Sequence, residues 1–454
     1  MSWSVLERYA PRLIAWGLGL ALAYGALEQG GFYANQFQKM SILLVLVVIG
    51  RALMWRRSVP RSLAIACAGL GLLAVWALAR ASIEGSWLDG GPIAGASASL
   101  AVAVLGVTAL EREDRELLVH LVLIVGVLVS LSTWAGVAWH YEPWAIPSQS
   151  LWRGASTITY ANATAAYLFA PMLLAVERFI RTRRLAYLVV LLVLTVGWTA
   201  TLSRAAGLSL LVAAVFSAAR LRDRRVVLSL WPLVPAVAVA AIGLIPSLSE
   251  GADAEPLLAV LSLLGGIGLV VVLARARMSI AVAVVGLVTI GALAPAAASG
   301  VLGDTVAKIQ QTRVEGRSSD RADLNAVTWD QFVQRPEIGV GPGKIDFNYV
   351  NHAGQSVRAE FTHNEYLQVA TELGLPGLVM VLVAITALGA LSFRAPDPRA
   401  LTVVGGQVVL TSFVLHAGLD FLWHVPVVGL TTVVSSLILV TQSGYFRPLP
   451  FSTT

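Results

Sequence analysis

The chain has 454 residues, 57% hydrophobic and only 13% charged, with a formal net charge of +6 and one cysteine. Soluble domains carry about 25% charged residues, so this composition excludes an ordinary soluble enzyme and points to a chain that crosses a membrane repeatedly. The lone cysteine, Cys67, excludes an intramolecular disulfide and a cysteine-based metal site, and its place inside an apolar run fits side-chain packing.

Apolar runs of about 15 to 20 residues recur along the chain, each about long enough to cross a ~30 Å hydrocarbon core. About fourteen can be placed, at 13–28, 40–55, 62–79, 94–110, 117–138, 161–176, 185–202, 205–219, 226–245, 257–274, 279–297, 376–393, 400–417 and 427–442. Several are short, so about 12–14 transmembrane helices are expected in an all-α, polytopic membrane protein. Residues 1–297 form the first part of the bundle, 298–375 a large extracytoplasmic helical loop that would carry the catalytic residues, and 376–454 the last part of the bundle.

Basic residues set the expected orientation. Arg56, Arg57 and Arg61 share one loop; Arg178, Arg181, Arg183 and Arg184 a second; Arg220, Arg222, Arg224 and Arg225 a third. Arg275 with Arg277, and Arg394 with Arg399, complete a set that falls on one side, which the positive-inside rule makes cytoplasmic, along with both termini. Glu84, Asp89, Glu250, Asp253 and Glu255 occupy the opposite loops. The positive charge is therefore mostly topology, and nucleic acid is not an expected partner. The N-terminal stretch with Arg8 and Arg12 imitates a signal peptide, but removing it would put every later basic loop outside, so it reads as a retained helix.

Polar clusters break this apolar text at a few points. Thr201-Leu202-Ser203-Arg204 lies between two spans at the outer face, where an arginine is costly unless paired or useful. No acidic residue is near Arg204 in sequence, which favours a role in holding an anion such as a phosphate. Arg313, Arg317, Arg321, Arg335, Lys344 and Arg358 make the large loop basic as well; some of them could hold an anionic substrate, but for each alone a snorkelling or locally salt-bridged side chain is the expected role.

Within that loop, Arg321 to Val333 carries Leu324, Val327, Trp329 and Phe332 at helical spacing and stops at Pro336. Ile338-Gly339-Val340-Gly341-Pro342-Gly343 reads as a tight turn that needs glycine. It is not a P-loop, because the spacing fails and no Ser or Thr follows Lys344. A second helix is expected from Thr362, with Thr362 and Glu365 as a capping box and Gly374 with Pro376 as the stop. His363 would then occupy the first helical position, where the dipole favours neutral imidazole. It could serve there as a general base or as an ordinary surface residue; the residues alone leave both readings open. A smaller outward loop, 418–426, is crowded by His416, Asp420 and His424. Of the six histidines, only His120 is predicted near the cytoplasmic face; His140, His352, His363, His416 and His424 lie outside or near the outer boundary. No H-E-x-x-H motif or G-x-S-x-G elbow is present, so neither a zincin site nor a serine nucleophile is expected.

Taken together, Arg321, Trp329, the run Pro336 to Gly343, His363-Asn364-Glu365-Tyr366-Leu367-Gln368 and Glu372-Leu373-Gly374 resemble the shared domain of the O-antigen ligase/polymerase family. Tyr160-Ala161-Asn162-Ala163 and Thr201 to Arg204 resemble its upstream motifs, and Asp420 with Pro426 its late outward motif. The resemblance covers about 155–430 in pieces and is strongest in the loop. It implies a glycosyltransferase of the bacterial inner membrane, with its site at the periplasmic face. Such an enzyme moves a glycan from undecaprenyl diphosphate to an acceptor and needs neither metal nor nucleotide sugar, so no cofactor is expected. Ligases use the lipid A core as acceptor; polymerases use another lipid-linked repeat unit. In these terms His363 and Arg204 are catalytic: His363 activates or orients the acceptor hydroxyl, and Arg204 contacts the diphosphate. Arg321 is a second cation. Asn364, Glu365, Gln368, Asn162 and Asp420 fall on motif positions expected to contact substrate. Attack opposite the leaving diphosphate would invert the anomeric centre. Ligase is the nominal reading and polymerase the alternative. A transporter or flippase of lipid-linked sugars is the alternative of another class, disfavoured because the polar clusters sit at the boundary instead of at the bilayer midplane.

Overall fold

The computed structural model describes residues 3–221, 228–276, 301–311, 319–345, 347–350 and 356–442. The predicted span at 279–297, together with Arg222, Arg224, Arg225, Arg277, Arg313, Arg317 and His352, lies outside the described residues. The chain is an all-α polytopic membrane protein. Among the described residues eight helices are long and apolar enough to cross a membrane, and four shorter apolar helices accompany them.

The first five helices are α1 (Trp3–Leu27), α2 (Ala34–Leu53), α3 (Arg61–Ile83), α4 (Gly91–Ala109) and α5 (Arg112–Ala138). A small antiparallel hairpin, β1 (Ala145–Ser148) and β2 (Leu151–Gly154), pairs Ile146 with Arg153. Next come α6 (Ala161–Thr182), α7 (Leu185–Ala200), α8 (Arg204–Arg220), α9 (Leu233–Ile242) and α10 (Pro256–Ala276). The polar stretch holds α11 (Val301–Ile309), α12 (Ser319–Gln334) and a second hairpin, β3 (Phe347–Val350) and β4 (Ser356–Ala359). α13 (Glu365–Phe393), α14 (Leu401–Ala417) and α15 (Pro426–Thr441) close the bundle.

Differences from the predicted runs have physical causes. α1 begins ten residues before the apolar run does, because Arg12 is neutralised by Asp114 at 2.8 Å and need not end the helix. α9 is shorter than its run; Pro232 lacks the N–H to extend it and stands at its N-cap. The two hairpins have four-residue strands, too short to show a periodicity.

α6 and α15 form the centre. α15 is buried along its whole length and is apolar all round, as a central helix must be; 83% of the α6 span is buried too, with Asn162 at its start and Glu177 and Arg178 near its end as buried polar groups. α2 and α10 bury far less and expose Ile42, Val45 and Val48, and Leu257, Leu261 and Leu264. Those faces suit lipid, where exposure of leucine costs nothing.

The two ends of the bundle differ in chemistry. At one end, Arg178 and Arg181 pair with Glu116, Arg57 pairs with Glu111 and donates to Ala109 O, and Arg220 stacks over Phe393. The other end gathers the α7–α8 turn and the starts of α6, α13 and α15, and it holds the site.

Candidate active site

The start of α13 differs from the sequence reading. The N-cap is Asn364, whose side chain accepts from Leu367 N at 3.2 Å; Thr362 does not cap the helix. Thr362 Oγ1 instead donates to Asn364 O at 2.8 Å. His363 therefore precedes the cap in a left-handed conformation (φ 52°), outside the helix. Asparagine is among the strongest capping residues, and it outcompetes a threonine two positions earlier. The consequence for His363 is large, because its side chain is turned away from the helix and towards the 418–426 loop.

There it meets Asp420. His363 Nδ1 lies 3.0 Å from Asp420 Oδ1. The same carboxylate, wholly buried, accepts from Tyr160 OH at 2.6 Å, from Arg321 at 3.2 Å, from its neighbour Phe421 N at 2.9 Å, and from Asn162 Nδ2. Burial alone would raise the pKa of Asp420. The His363 hydrogen bond, the Arg321 charge and the Tyr160 hydroxyl outweigh it and hold the carboxyl well below the usual carboxylate range. Burial and the facing carboxylate push Tyr160 in the opposite direction, well above the ordinary phenol value, so it remains a donor. In the neutral tautomer that donates Nδ1–H to Asp420 the lone pair lies on Nε2, for which the described residues supply no partner.

Aromatic rings form one side of the cluster. Phe421 is stacked between Tyr160 and Phe361, with centroids at 4.8 and 5.0 Å, and His363 meets its edge at 4.8 Å. Such a wall limits water and strengthens each electrostatic contact beside it.

Three arginines belong to this neighbourhood. Arg321, on the first turns of α12, donates to Leu419 O at 2.7 Å as well as to Asp420. Arg204 follows Ser203, which caps α8 by accepting from Ala206 N, and its side chain is exposed. Arg153 on β2 joins them: it donates to Thr201 O at 3.1 Å and to Asn162 Oδ1 at 2.8 Å. Burial lowers the pKa of Arg153; Arg321 and Arg204 act in the same sense, while Tyr160 and Asp420 oppose them, so all five groups share one electrostatic neighbourhood. Among the described residues, three other loop cations have acidic neighbours. Lys344 pairs with Asp89 at 3.0 Å, Arg335 approaches Glu84 at 4.0 Å, and Arg358 approaches Glu360 at 3.6 Å.

The glycine turn holds α12 against α13. α13 is broken at Gly374 (φ 69°), and a side chain there would strike Ile338 N at 2.7 Å. Gly339 (φ 72°) faces it in turn, with room for no Cβ against Glu372 O. The carbonyls freed by the break are all met. Val340 N reaches Thr371 O at 2.8 Å, Gly341 N reaches Glu372 O at 3.0 Å, and Trp76 Nε1 reaches Leu373 O at 2.8 Å. Buried Arg80 donates to Ile338 O and Gly339 O, and Leu375 N donates to Pro336 O at 2.8 Å.

Glu365, Asn364 and Gln368 point into this framework. Glu365 accepts from Trp423 N and lies 3.3 Å from His424 Nδ1, pinning the 418–426 loop to the start of α13. Gln368 accepts from Thr362 N at 2.9 Å and donates to Glu372 at 2.8 Å. Burial opposes a charge on His424, but the Glu365 carboxylate more than offsets this, with Glu372 adding to it, and the pKa is raised above the free value of about 6.5. Folding thus takes up a proton here. The pair stabilises fully below about pH 6.5 and less as pH rises through the raised value. The wild-type thermal midpoint should therefore fall over that rise by more than that of His424→Gln; parallel profiles would remove the pair as the cause.

Of the residues singled out from sequence, His363, Arg321, Asn162 and Asp420 meet at one carboxylate, and Arg204 stands beside them through Arg153. Asn364, Glu365 and Gln368 lie one layer behind. His416 is buried in the last turn of α14, four residues before Asp420. Sequence reasoning missed Arg153, although an arginine in a short loop on the acidic side was a signal of the same kind as Arg204. Residues 256–382 match a family model described as O-antigen ligase. No curated protein matches the chain. That match covers the stretch carrying Arg321 and His363, and makes this part of the chain similar to the O-antigen ligase family.

Proposed function

We propose that this enzyme transfers a glycan from undecaprenyl diphosphate to an acceptor hydroxyl at the periplasmic face of the inner membrane, nominally as an O-antigen ligase acting on the lipid A core. The observation that carries the reading is the His363–Asp420 dyad, whose carboxylate is shared with Arg321. His363 Nε2 takes the acceptor proton while the acceptor oxygen bonds to the anomeric carbon. The bond from that carbon to the diphosphate oxygen breaks, and Asp420 stabilises the imidazolium as it forms. Charge developing on the departing diphosphate is met by Arg204 and Arg321, preplaced guanidinium groups in a partly dehydrated site. In-line displacement of this kind inverts the anomeric centre. Asn162 and Tyr160 hold Asp420, while Asn364, Glu365 and Gln368 hold the loop and helix that bear the dyad.

The orientation in this proposal follows the charge: the basic loops lie at the far end of the bundle from the dyad, so that end and both termini are cytoplasmic. The glycan lipids of a deletion strain test the function. Long glycans stranded on undecaprenyl diphosphate identify a ligase, and single stranded repeat units a polymerase. Unchanged glycan lipids would remove both readings and favour transport.

A further inference from the structure

Arg153 ties two separate motifs of the cluster together. It projects from a hairpin whose backbone is fixed: Ala155 N and Ser156 N both donate to Trp144 O, at 2.7 and 2.9 Å, and Leu151 bridges to Ser249. Gly154, the next residue, packs so closely on Thr133 that a Cβ would lie 2.3 Å from its methyl. From this base Nε reaches the carbonyl of Thr201, three residues before Arg204. That turn is itself stiffened by Thr201 Oγ1, which donates to Trp198 O at 2.7 Å and accepts from Ser203 N. The other arm, Nη2, reaches Asn162 Oδ1, and the Asn162 amide passes the contact on to Asp420.

We infer that Arg153 is a positioning residue for the diphosphate: it sets the Arg204 turn at a fixed distance from the Asn162–Asp420–His363 chain, so that the leaving group and the imidazole are addressed together. The inference rests on the diphosphate-donor reading given above. A rigid guanidinium fork can hold a carbonyl and an amide oxygen at once, whereas a lysine ammonium supplies the charge without the fork. The prediction is therefore specific to geometry.

The test uses the purified full chain and two probes, undecaprenyl diphosphate and undecaprenyl monophosphate, with binding measured for wild type, Arg153→Lys, Arg204→Lys and the double variant. Wild type should prefer the diphosphate. Arg153→Lys and Arg204→Lys should each lose about tenfold in diphosphate affinity with little change for the monophosphate. The double variant should bind no more weakly than Arg204→Lys, because Arg153 acts through that turn. A merely structural Arg153 would lower the folded fraction and leave the preference between the two probes intact. If Arg153→Lys does not fold, Asn162→Ala breaks the same link from its other end and should show the same pattern. Wild-type diphosphate affinity in the folded variant, or losses that multiply in the double variant, would overturn the inference. A wild type without preference for the diphosphate, or an unaffected Arg204→Lys, would instead remove the functional reading beneath it.

Discussion

His363→Ala should lower glycan transfer by at least about a hundredfold while the protein still folds, since a positioned general base contributes about 10²–10⁴ to rate. The side chain is about one-third exposed, with 30% of its surface accessible, and its hydrogen bond is to Asp420, which keeps four other donors when the imidazole is removed. Little of the fold therefore depends on it. The left-handed backbone at this position is the main structural cost of alanine, so His363→Asn, which tolerates that conformation, is the matched control. Both variants should be extracted as folded protein and both should be inactive towards lipid-linked glycan taken from the deletion strain. Normal turnover in either would leave His363 as a residue of structure alone.

Asp420→Asn should be the second large effect, with a different signature. Aspartate at 420 accepts from five donors, including a guanidinium, in a buried position. An asparagine of the same shape turns an NH₂ group towards some of those donors and loses the charge that Arg321 and an imidazolium at His363 require. Arg321 is one-third exposed, which discounts its share, so a loss of about 2 kcal/mol in stability is expected on top of the loss of turnover. Turnover should fall about as far as in His363→Ala, and the double variant should be no worse than either single variant because the pair acts as a unit. A stable, fully active Asp420→Asn would show that the carboxylate only packs the loop.

Much of this architecture was legible in the sequence because lipid imposes a simple rule: a span must be an apolar helix, and its ends show in the charges. Each predicted run that falls on described residues holds a helix, though α9 fills only part of 226–245. The glycine turn was legible for a similar reason, since the backbone at Gly339 and Gly374 admits no side chain. The site was legible only in parts. His363, Arg204, Asn162 and Asp420 are visible as polar residues at span ends, but a linear pattern does not state that Asp420 and His363 touch. That contact depends on Asn364 capping α13 in place of Thr362, a competition between two good capping residues three-dimensional packing decides. Arg153 carried the signal of a misplaced arginine, but its partners, a carbonyl and an amide that are distant from it in sequence or ordinary in type, were not legible.

The crossing of backbones at Pro336–Gly341 and Thr371–Leu375 has a further meaning. It joins the beginning of the segment that holds the β3–β4 hairpin to its end. Lys344 on Asp89 and Thr362 on Gln368 tighten the same neck, so the β3–β4 hairpin leaves and rejoins the scaffold over anchored feet. Doubling the length of such a loop costs only about 0.6 kcal/mol in closure entropy. The hairpin is therefore the place where this scaffold can accept insertions, deletions or grafted sequence while the dyad keeps its geometry.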